Sequence, residues 1–555
     1  MDSETIHLVQ TAPVVVVRAQ HLSYYLSIGA ILLVVWYFQS AQVAKSKQVK
    51  NVPFYKASIL KWYFDAETLV RDSYLKFYDQ VYQIKGTEGL QVIVPARVIS
   101  ELRTLPEEIL SAREALSEAL MSKYTKFCPE RHQDLLPTLI RTKLTQNLAR
   151  LIPQLKEEIE YMVATEFPDC KDWTPFKFHP FGLRCVARTS GRAFVGPAIC
   201  RDEAWMDTSV NFAVHIFLAL VKLQFFPQWL RPIGQYLVTD LRKIRQDTAK
   251  AQAMLTPIIQ ERLRDMDSCP GYERPDDFIQ WLLDALPEKE RTDFKAHAEL
   301  QLLLSAASIH TTNNLLVDCM YDLAAHPDVA EMLMEESIAV LENDDTTNTA
   351  ATTAAATRAA TSGWARKDSM AKLKKLDSFI KEVQRLRGNV TSFIRKVRQP
   401  IDLSDGTHLP AGTTLLAPLS GFAHDERNYH DPETFDPLRF YKMRQTMTFN
   451  NNKSHHTSGS ETAAVTTTTT ATTNSNANKH QFTSISDNMN FGAGKAACPG
   501  RFFASNEIKM ILAWFLVNFE VRLAEGQARP KSMVLMMTKT PDPNAQLLFR
   551  RRELN

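Results

Sequence analysis

One cysteine, Cys498, stands in the stretch FGAGKAACPGRFFA, Phe491 to Ala504, among three glycines and a proline. Four chemistries use such a thiol: a disulfide, a zinc ligand, a nucleophile, or a thiolate ligand of a larger cofactor. The chain has seven cysteines, at 128, 170, 185, 200, 269, 319 and 498. The number is odd, the spacing is wide, and no pair is two to four residues apart, which removes a zinc ribbon and a CxxC redox site. Their low density argues against a disulfide framework. A nucleophilic cysteine needs a base, usually histidine, and none lies within the motif.

The local pattern suits a metal ligand better. Gly492, Gly494 and Gly500 allow tight turns and close approach of backbone to a flat object. Pro499 fits the first turn of a helix, where its missing N–H costs nothing, and GRFFASNEIKMILAWFLVNF reads as that helix. Its positive N-terminal end favours a thiolate. A heme iron with an axial cysteine requires this geometry.

Two further stretches carry candidate chemistry. In LLLSAASIHTTNNLL an apolar run is broken by Ser305, Ala306, Ala307 and Ser308, then by four polar residues, Thr311 to Asn314. The plain reading is a helix whose threonine hydroxyls bond back to the preceding turn. The functional reading is a helix that lies close to a porphyrin face, with room for oxygen and water. In KEVQR, Glu382 and Arg385 share a helix face and can pair. The same spacing recurs at Glu261/Arg264 and Glu288/Arg291, where a solvated face explains it.

Together these stretches resemble the cytochrome P450 family. Its pattern of Phe, two residues, Gly, three residues, Cys, one residue, Gly is met by Phe491, Gly494, Cys498 and Gly500. Glu382 and Arg385 stand in the family's order, before the turn DGTHLPAGT and the element DPETFDPLRFY. The resemblance implies that Glu382, Arg385 and Arg439 form a buried structural charge network. Removing one member would leave a buried charge unpaired, at roughly 3–5 kcal/mol. It further implies heme b as cofactor, Cys498 as axial ligand, and Arg395, in FIRKV, on a heme propionate. The small-Gly-x-acid-Thr pattern aligns with Ala307 to Thr311, giving Thr311 and His310 the handling of protons. Three positions depart: Ser308 replaces the glycine, His310 the acid, and Ala496 the common basic partner of a propionate, with Lys495 beside it. A histidine also shuttles protons, with an unperturbed pKa near 6.5.

These residues need a large scaffold, and the composition provides one. The 555 residues are 45% apolar and 23% charged, with a net charge of +3, too balanced to argue for nucleic acid. Helical periodicity recurs over Pro106–Lys123, Leu135–Phe167, Asp207–Leu223, Ile233–Asp265 and Arg291–Ala325. Short strands are expected at Leu90–Pro95, Phe393–Val397 and Thr413–Pro418. The expected fold is mostly α with small β-sheets, the cytochrome P450 fold, preceded by one transmembrane helix. Leu22 to Phe38 is 17 residues without a charge, at the short end for a span. Lys45, Lys47 and Lys50 follow it, which by the positive-inside rule leaves the later residues in the cytosol.

The expected organisation is a lumenal segment 1–21, an anchor 22–38, a linker 39–55 and a catalytic domain 56–555. Tracts 343–363 and 450–480 are low in complexity, too poor in apolar residues to pack. Asn211 to Leu230 is apolar and aromatic, and reads equally as core or as an access route touching the bilayer. The resemblance is nearest to fungal membrane enzymes of the ent-kaurene oxidase-like group, carried by RCVARTSGRAFVG, the HTT at 310–312 and the cysteine helix. It implies a single-pass protein of the endoplasmic reticulum that oxidises a hydrophobic terpenoid or indole diterpene. Electrons would come from NADPH-cytochrome P450 reductase, with cytochrome b5 as a further donor. A heme-thiolate isomerase or dehydratase needing no reductase, and a membrane-anchored carrier without catalysis, are the competing expectations.

Overall fold

In the computed structural model, residues 49–127, 132, 134–345, 367–446, 479–486 and 488–553 are described. The anchor at 22–38, Cys128 and nearly all of both low-complexity tracts lie outside them. Helices dominate. Those that build the site's frame are α1 (Ile59–Phe64), α2 (Ala66–Lys76), α3 (Leu148–Glu166), α4 (Phe178–Val195), α5 (Glu203–Gln224), α6 (Thr239–Ser268), α7 (Phe294–Ala325), α8 (Lys374–Arg387) and α9 (Arg501–Asn518).

The central element is α7, which packs on α4, α5, α6, α8 and α9. Asp293 caps its start by accepting from the N–H of Ala296 at 3.1 Å. Its Leu, Cys, Met and Tyr side chains are buried around most of its circumference, as a helix apolar on every side must be. Asp202 caps α5 in the same way, accepting from Ala204 N and Trp205 N. Among the described helices, α5 alone is long and apolar enough to cross a membrane, but nearly half of it is buried against the fold. It therefore contributes to the core, and the sequence Asn211–Leu230 divides between that role and an exposed stretch after Gln224.

One five-stranded sheet holds β1 (Tyr82–Gly86), β2 (Gly89–Ile93), β3 (Leu110–Ser111), β4 (Ser392–Val397) and β5 (Thr414–Ala417) in the order β1-β2-β5-β4-β3. Pairing is antiparallel except β2 with β5, where Gln91 faces Thr414. Smaller sheets pair 401–402 with 408–409, 533–535 with 538–540, and 174–176 and 519–522 with 547–551.

Three helical expectations are corrected. Ile233–Asp265 divides into the end of a short helix, Arg231–Gly234, and α6, with a turn at 235–238 between them. Pro106–Lys123 is not one helix: Leu110 pairs with Val397 in the sheet, and only Ala112–Ala119 and Ser122–Thr125 are helical, separated by a left-handed Met121. Leu135–Phe167 is interrupted by a π-helical turn at Ile140–Leu144. The helix after the cysteine begins at Arg501 with Gly500 as its cap, so Pro499 lies just outside it.

The frame of the tract 447–478 is closed by one carboxylate. Asp377 on α8 takes Arg444 at 3.2 Å from one side of the tract and the N–H of Phe482 at 2.9 Å from the other, with Lys509 of α9 at 2.6 Å.

Candidate functional site

The cysteine loop is shaped by its glycines. Gly492 and Gly494 are left-handed, with φ of 73° and 66°, and a Cβ on Gly494 would lie 2.3 Å from the carbonyl oxygen of Arg103. Gly500 is different: its φ is −84° and a Cβ there would meet open space, so the protein's own backbone does not demand glycine. The N–H of Cys498 donates to the carbonyl of Phe491 at 2.8 Å, closing the loop, and the Phe491 ring packs edge-on against Phe482.

The Cys498 side chain is accessible, although protein surrounds it closely enough for burial to push its thiol pKa up. The sulfur is thus open to a ligand while protein groups surround it. The N–H groups of Gly500 and Arg501 point at the sulfur and oppose the effect of burial. A cationic ligand on the sulfur would complete the stabilisation of the thiolate.

Beyond its first turn, α7 is exposed at only two positions, Ala307 and Thr311, one turn apart on one face. Small and polar groups thus open a strip in a helix that is otherwise enclosed. The Thr311 hydroxyl donates to the carbonyl of Ala307 at 2.8 Å, with that of Ser308 at 3.3 Å, so the plain reading and the open face hold together. His310 points elsewhere. Its Nε2 donates to the carbonyl of Val210 on α5 at 3.0 Å, and burial lowers its pKa below the ordinary value. It ties α7 to α5 through Nε2, with Nδ1 left for exchange with other groups.

Arg395 is presented by an irregular strand. Phe393 is left-handed at φ 52°, rare for a bulky residue, and the pairing of β4 with β5 slips between Ser392 and Arg395. The guanidinium stacks on the Phe393 ring at 4.2 Å and donates to the carbonyls of Ile394 at 2.8 Å and of Ala493, in the cysteine loop, at 3.1 Å. Among the described residues no carboxylate forms an ion pair with it, and burial pushes its pKa down to about 10. A buried cation with no ion-pair partner among the described residues, bonded into the cysteine loop at Ala493, fits a cofactor that carries carboxylates. The donor set therefore fits heme.

The charge network is formed as the resemblance implied. Glu382 is fully buried and takes two bonds of 2.8 Å from Arg385 and a contact at 3.1 Å from Arg439. Arg385 also donates to Pro432 O, and Arg439 to Thr434 O, tying α8 to the DPETFDPLRFY element.

Sequence reasoning missed a second buried polar cluster. Glu507 on α9 is fully buried, and its Oε1 accepts from Thr189 at 2.6 Å and from Ser190 at 3.0 Å, both on α4. The Ser190 hydroxyl also meets that of Ser308 on α7 at 3.1 Å. Desolvation raises the Glu507 pKa to about 7 against the bonds of the two hydroxyls. The available signal was a lone carboxylate in the apolar part of a core helix.

Comparison with known proteins agrees with this geometry. A family model described as Cytochrome P450 matches residues 126–549. Cytochrome P450 monooxygenase AN1598 of Emericella nidulans is 34% identical over 544 residues, covering 95% of this chain and 92% of its own. The ent-kaurene oxidase of Gibberella intermedia is 30% identical over 502 residues, covering 89% and 85%. A solved structure of retinoic acid-bound cyanobacterial CYP120A1 shares the fold, with a TM-score of 0.60 at 16% identity over 91% of this chain and 100% of that one.

Proposed function

The chain belongs to the cytochrome P450 monooxygenase family, and from that premise we propose that it is a membrane-anchored heme-thiolate enzyme oxidising a hydrophobic small molecule, a terpenoid or indole-diterpene intermediate. The observation that carries this reading is the enclosed yet accessible Cys498 thiol, with two backbone N–H groups on its sulfur. The name of the ent-kaurene oxidase relative supports the terpenoid class. Heme b, when bound, supplies the activation of molecular oxygen with electrons derived from NADPH.

This chain's residues then have distinct tasks. Cys498 would ligate the heme iron, its charge favoured by the Gly500 and Arg501 N–H groups. Phe491, Gly494 and Gly500 shape the loop around it. Arg395 would receive a cofactor carboxylate. Ala307 would leave room for cofactor and substrate, and Thr311 carries a proton at Oγ1 on the same open face of α7. His310, the expected relay, keeps only Nδ1 for that work because Nε2 is committed to Val210.

Surface chemistry supports a location and partners. Leu60 and Phe64 of α1 and Trp229, Ile233, Tyr236 and Leu237 after α5 are exposed, Tyr236 by 80% and Leu237 by 73%. Tyr63 bonds Gln224 at 3.3 Å, and Arg231 bonds Glu88 at 2.8 and 2.9 Å, which hold the segment after α5 to α1 and to the β1–β2 turn. This patch suits the bilayer of the endoplasmic reticulum, for a chain anchored through 22–38 with domain 56–555 in the cytosol. Arg141, Lys143 and Lys495 are exposed by the cysteine loop, where Arg141 donates to the carbonyl of Lys495 at 2.8 Å. That basic face suits an acidic electron donor, NADPH-cytochrome P450 reductase or cytochrome b5.

The test is the carbon monoxide difference spectrum of the reduced protein. Wild type should show the thiolate type; Cys498→Ala should lose it, and Cys498→His should hold heme with a non-thiolate spectrum. A thiolate spectrum retained in both variants overturns the assignment.

A further inference from the structure

The molecule holds a cavity that the function described so far does not use. It measures about 370 Å³ and lies between α2, the helix Ala96–Leu102, the helix Leu419–Ala423 and the loop 485–493. None of Cys498, Phe491, Arg395, Ala307 and Thr311 lines it. Its size, and its mixture of aromatic walls with a few polar groups, are those of a small-molecule site. One wall is a row of three rings, Tyr78, Tyr74 and Phe422. Tyr74 stands edge-on to Tyr78 with centroids 5.8 Å apart and to Phe422 at 5.4 Å. The row is held in place: the Tyr74 hydroxyl donates to Asp425 at 2.5 Å, and the Arg427 guanidinium covers the Tyr78 ring at 3.2 Å. Such a wall offers a planar apolar ligand both area and ring-to-ring geometry.

The polar groups of the cavity call for an anion. Arg103 and Lys479 line it, and neither has an ion-pair partner among the described residues. Arg385 is taken by Glu382, and the lining acid, Asp79, is paired with Arg97 at 3.3 Å. Asn488 adds a donor. The residue is 9% exposed, its Oδ1 accepts from the N–H of Asn490 at 3.3 Å, and its buried Nδ2 has no hydrogen-bond partner among the described residues. A buried amide N–H left unbonded costs free energy that an acceptor on a ligand would recover.

We propose that this cavity is a second ligand site, built for a small aromatic carboxylic acid. The ring lies against Tyr74, Tyr78 and Phe422, and the carboxylate takes the Asn488 Nδ2 donor and the charges of Arg103 and Lys479. Asn490 and Ala493 also line the space, and the Arg103 carbonyl abuts Gly494, so the acid rests against the loop that carries Cys498. The site goes beyond the monooxygenase reading and does not depend on it.

The test is calorimetric titration of the holoenzyme with 2-naphthoate, in the presence of saturating clotrimazole, an imidazole that ligates iron and occupies the heme side. Wild type should bind naphthoate. Arg103→Gln removes an exposed charge, and Asn488→Leu removes the donor at nearly constant volume. Each should weaken binding about ten-fold or more, as loss of a hydrogen bond to a charged group does. 2-Naphthamide keeps the rings without the charge, and octanoate keeps the charge without the rings; each should bind about ten-fold more weakly than naphthoate. No binding to wild type below about 1 mM overturns the proposal, and so does binding that clotrimazole abolishes. Unchanged affinity in either variant overturns it too. Naphthamide or octanoate bound as tightly as naphthoate refutes the aromatic acid as the ligand class. The enzyme reading stands or falls separately: wild type without the thiolate carbon monoxide spectrum overturns that reading, while naphthoate binding that depends on Arg103 and Asn488 upholds the site.

Discussion

A carboxyl group without a cation, sealed inside a protein, makes folding sensitive to pH. The Glu507 pKa is raised from 4.5 to about 7 by desolvation. Between those values the folded chain holds a proton that the unfolded chain has released, so stability falls as pH rises. Across the window the loss is about 3 kcal/mol, present below 4.5 and absent above the folded pKa. Glu507→Gln lacks this dependence. Its melting temperature, compared with wild type, should improve steadily from pH 4.5 to 8; a constant difference would show that the carboxyl is already ionised. The cysteine and Glu382 with its arginines were legible in the sequence because residue type and spacing alone identify them. The Glu507 string was not, because its partners are more than 300 residues apart in the chain. Arg395 lay between these cases: its position in a strand was readable, but its burial without an acid emerges only when β4 slips against β5.

At the level of elements, long helices with a consistent apolar pattern were read nearly to their ends. Arg291–Ala325 proved to be Phe294–Ala325, and Asp207–Leu223 proved to be Glu203–Gln224. Periodicity failed where backbone pairing overrode it. Leu110 and Ser111 serve as an edge strand of the sheet, which no side-chain spacing reveals. The closure of 447–478 by Asp377 leads to a prediction at this scale. Deleting 450–478 leaves Arg444, Phe482 and Lys509 on their shared carboxylate and should leave heme content within about 20% of wild type, since long surface loops cost little to change. A large loss of heme would show that the tract supports the cysteine side of the fold.

For the whole molecule, the exposed apolar residues of α1 and of the segment after α5 are joined by the Tyr63–Gln224 bond, and basic residues surround the cysteine loop. The sequence permitted two readings of Asn211–Leu230, and the fold divides the stretch: its helical part helps build the core while Trp229 belongs to the patch. In full-length protein carrying Cys269→Ser, a nitroxide placed at Tyr236→Cys in bilayer nanodiscs should relax with dissolved oxygen and be shielded from a polar nickel reagent. A label at Lys143→Cys should behave in the opposite way. Equal exposure of both to nickel would place the patch in water.

The Asp377 junction also matters to anyone who wishes to follow this protein in a living cell. Chain leaving at Arg444 and chain returning at Phe482 meet on a single side chain, so the stem between them is already fastened. A passenger whose own termini are neighbours, such as a fluorescent barrel, can be spliced into that stem. The end of the polypeptide then stays untouched, free to complete its sheet at 547–551.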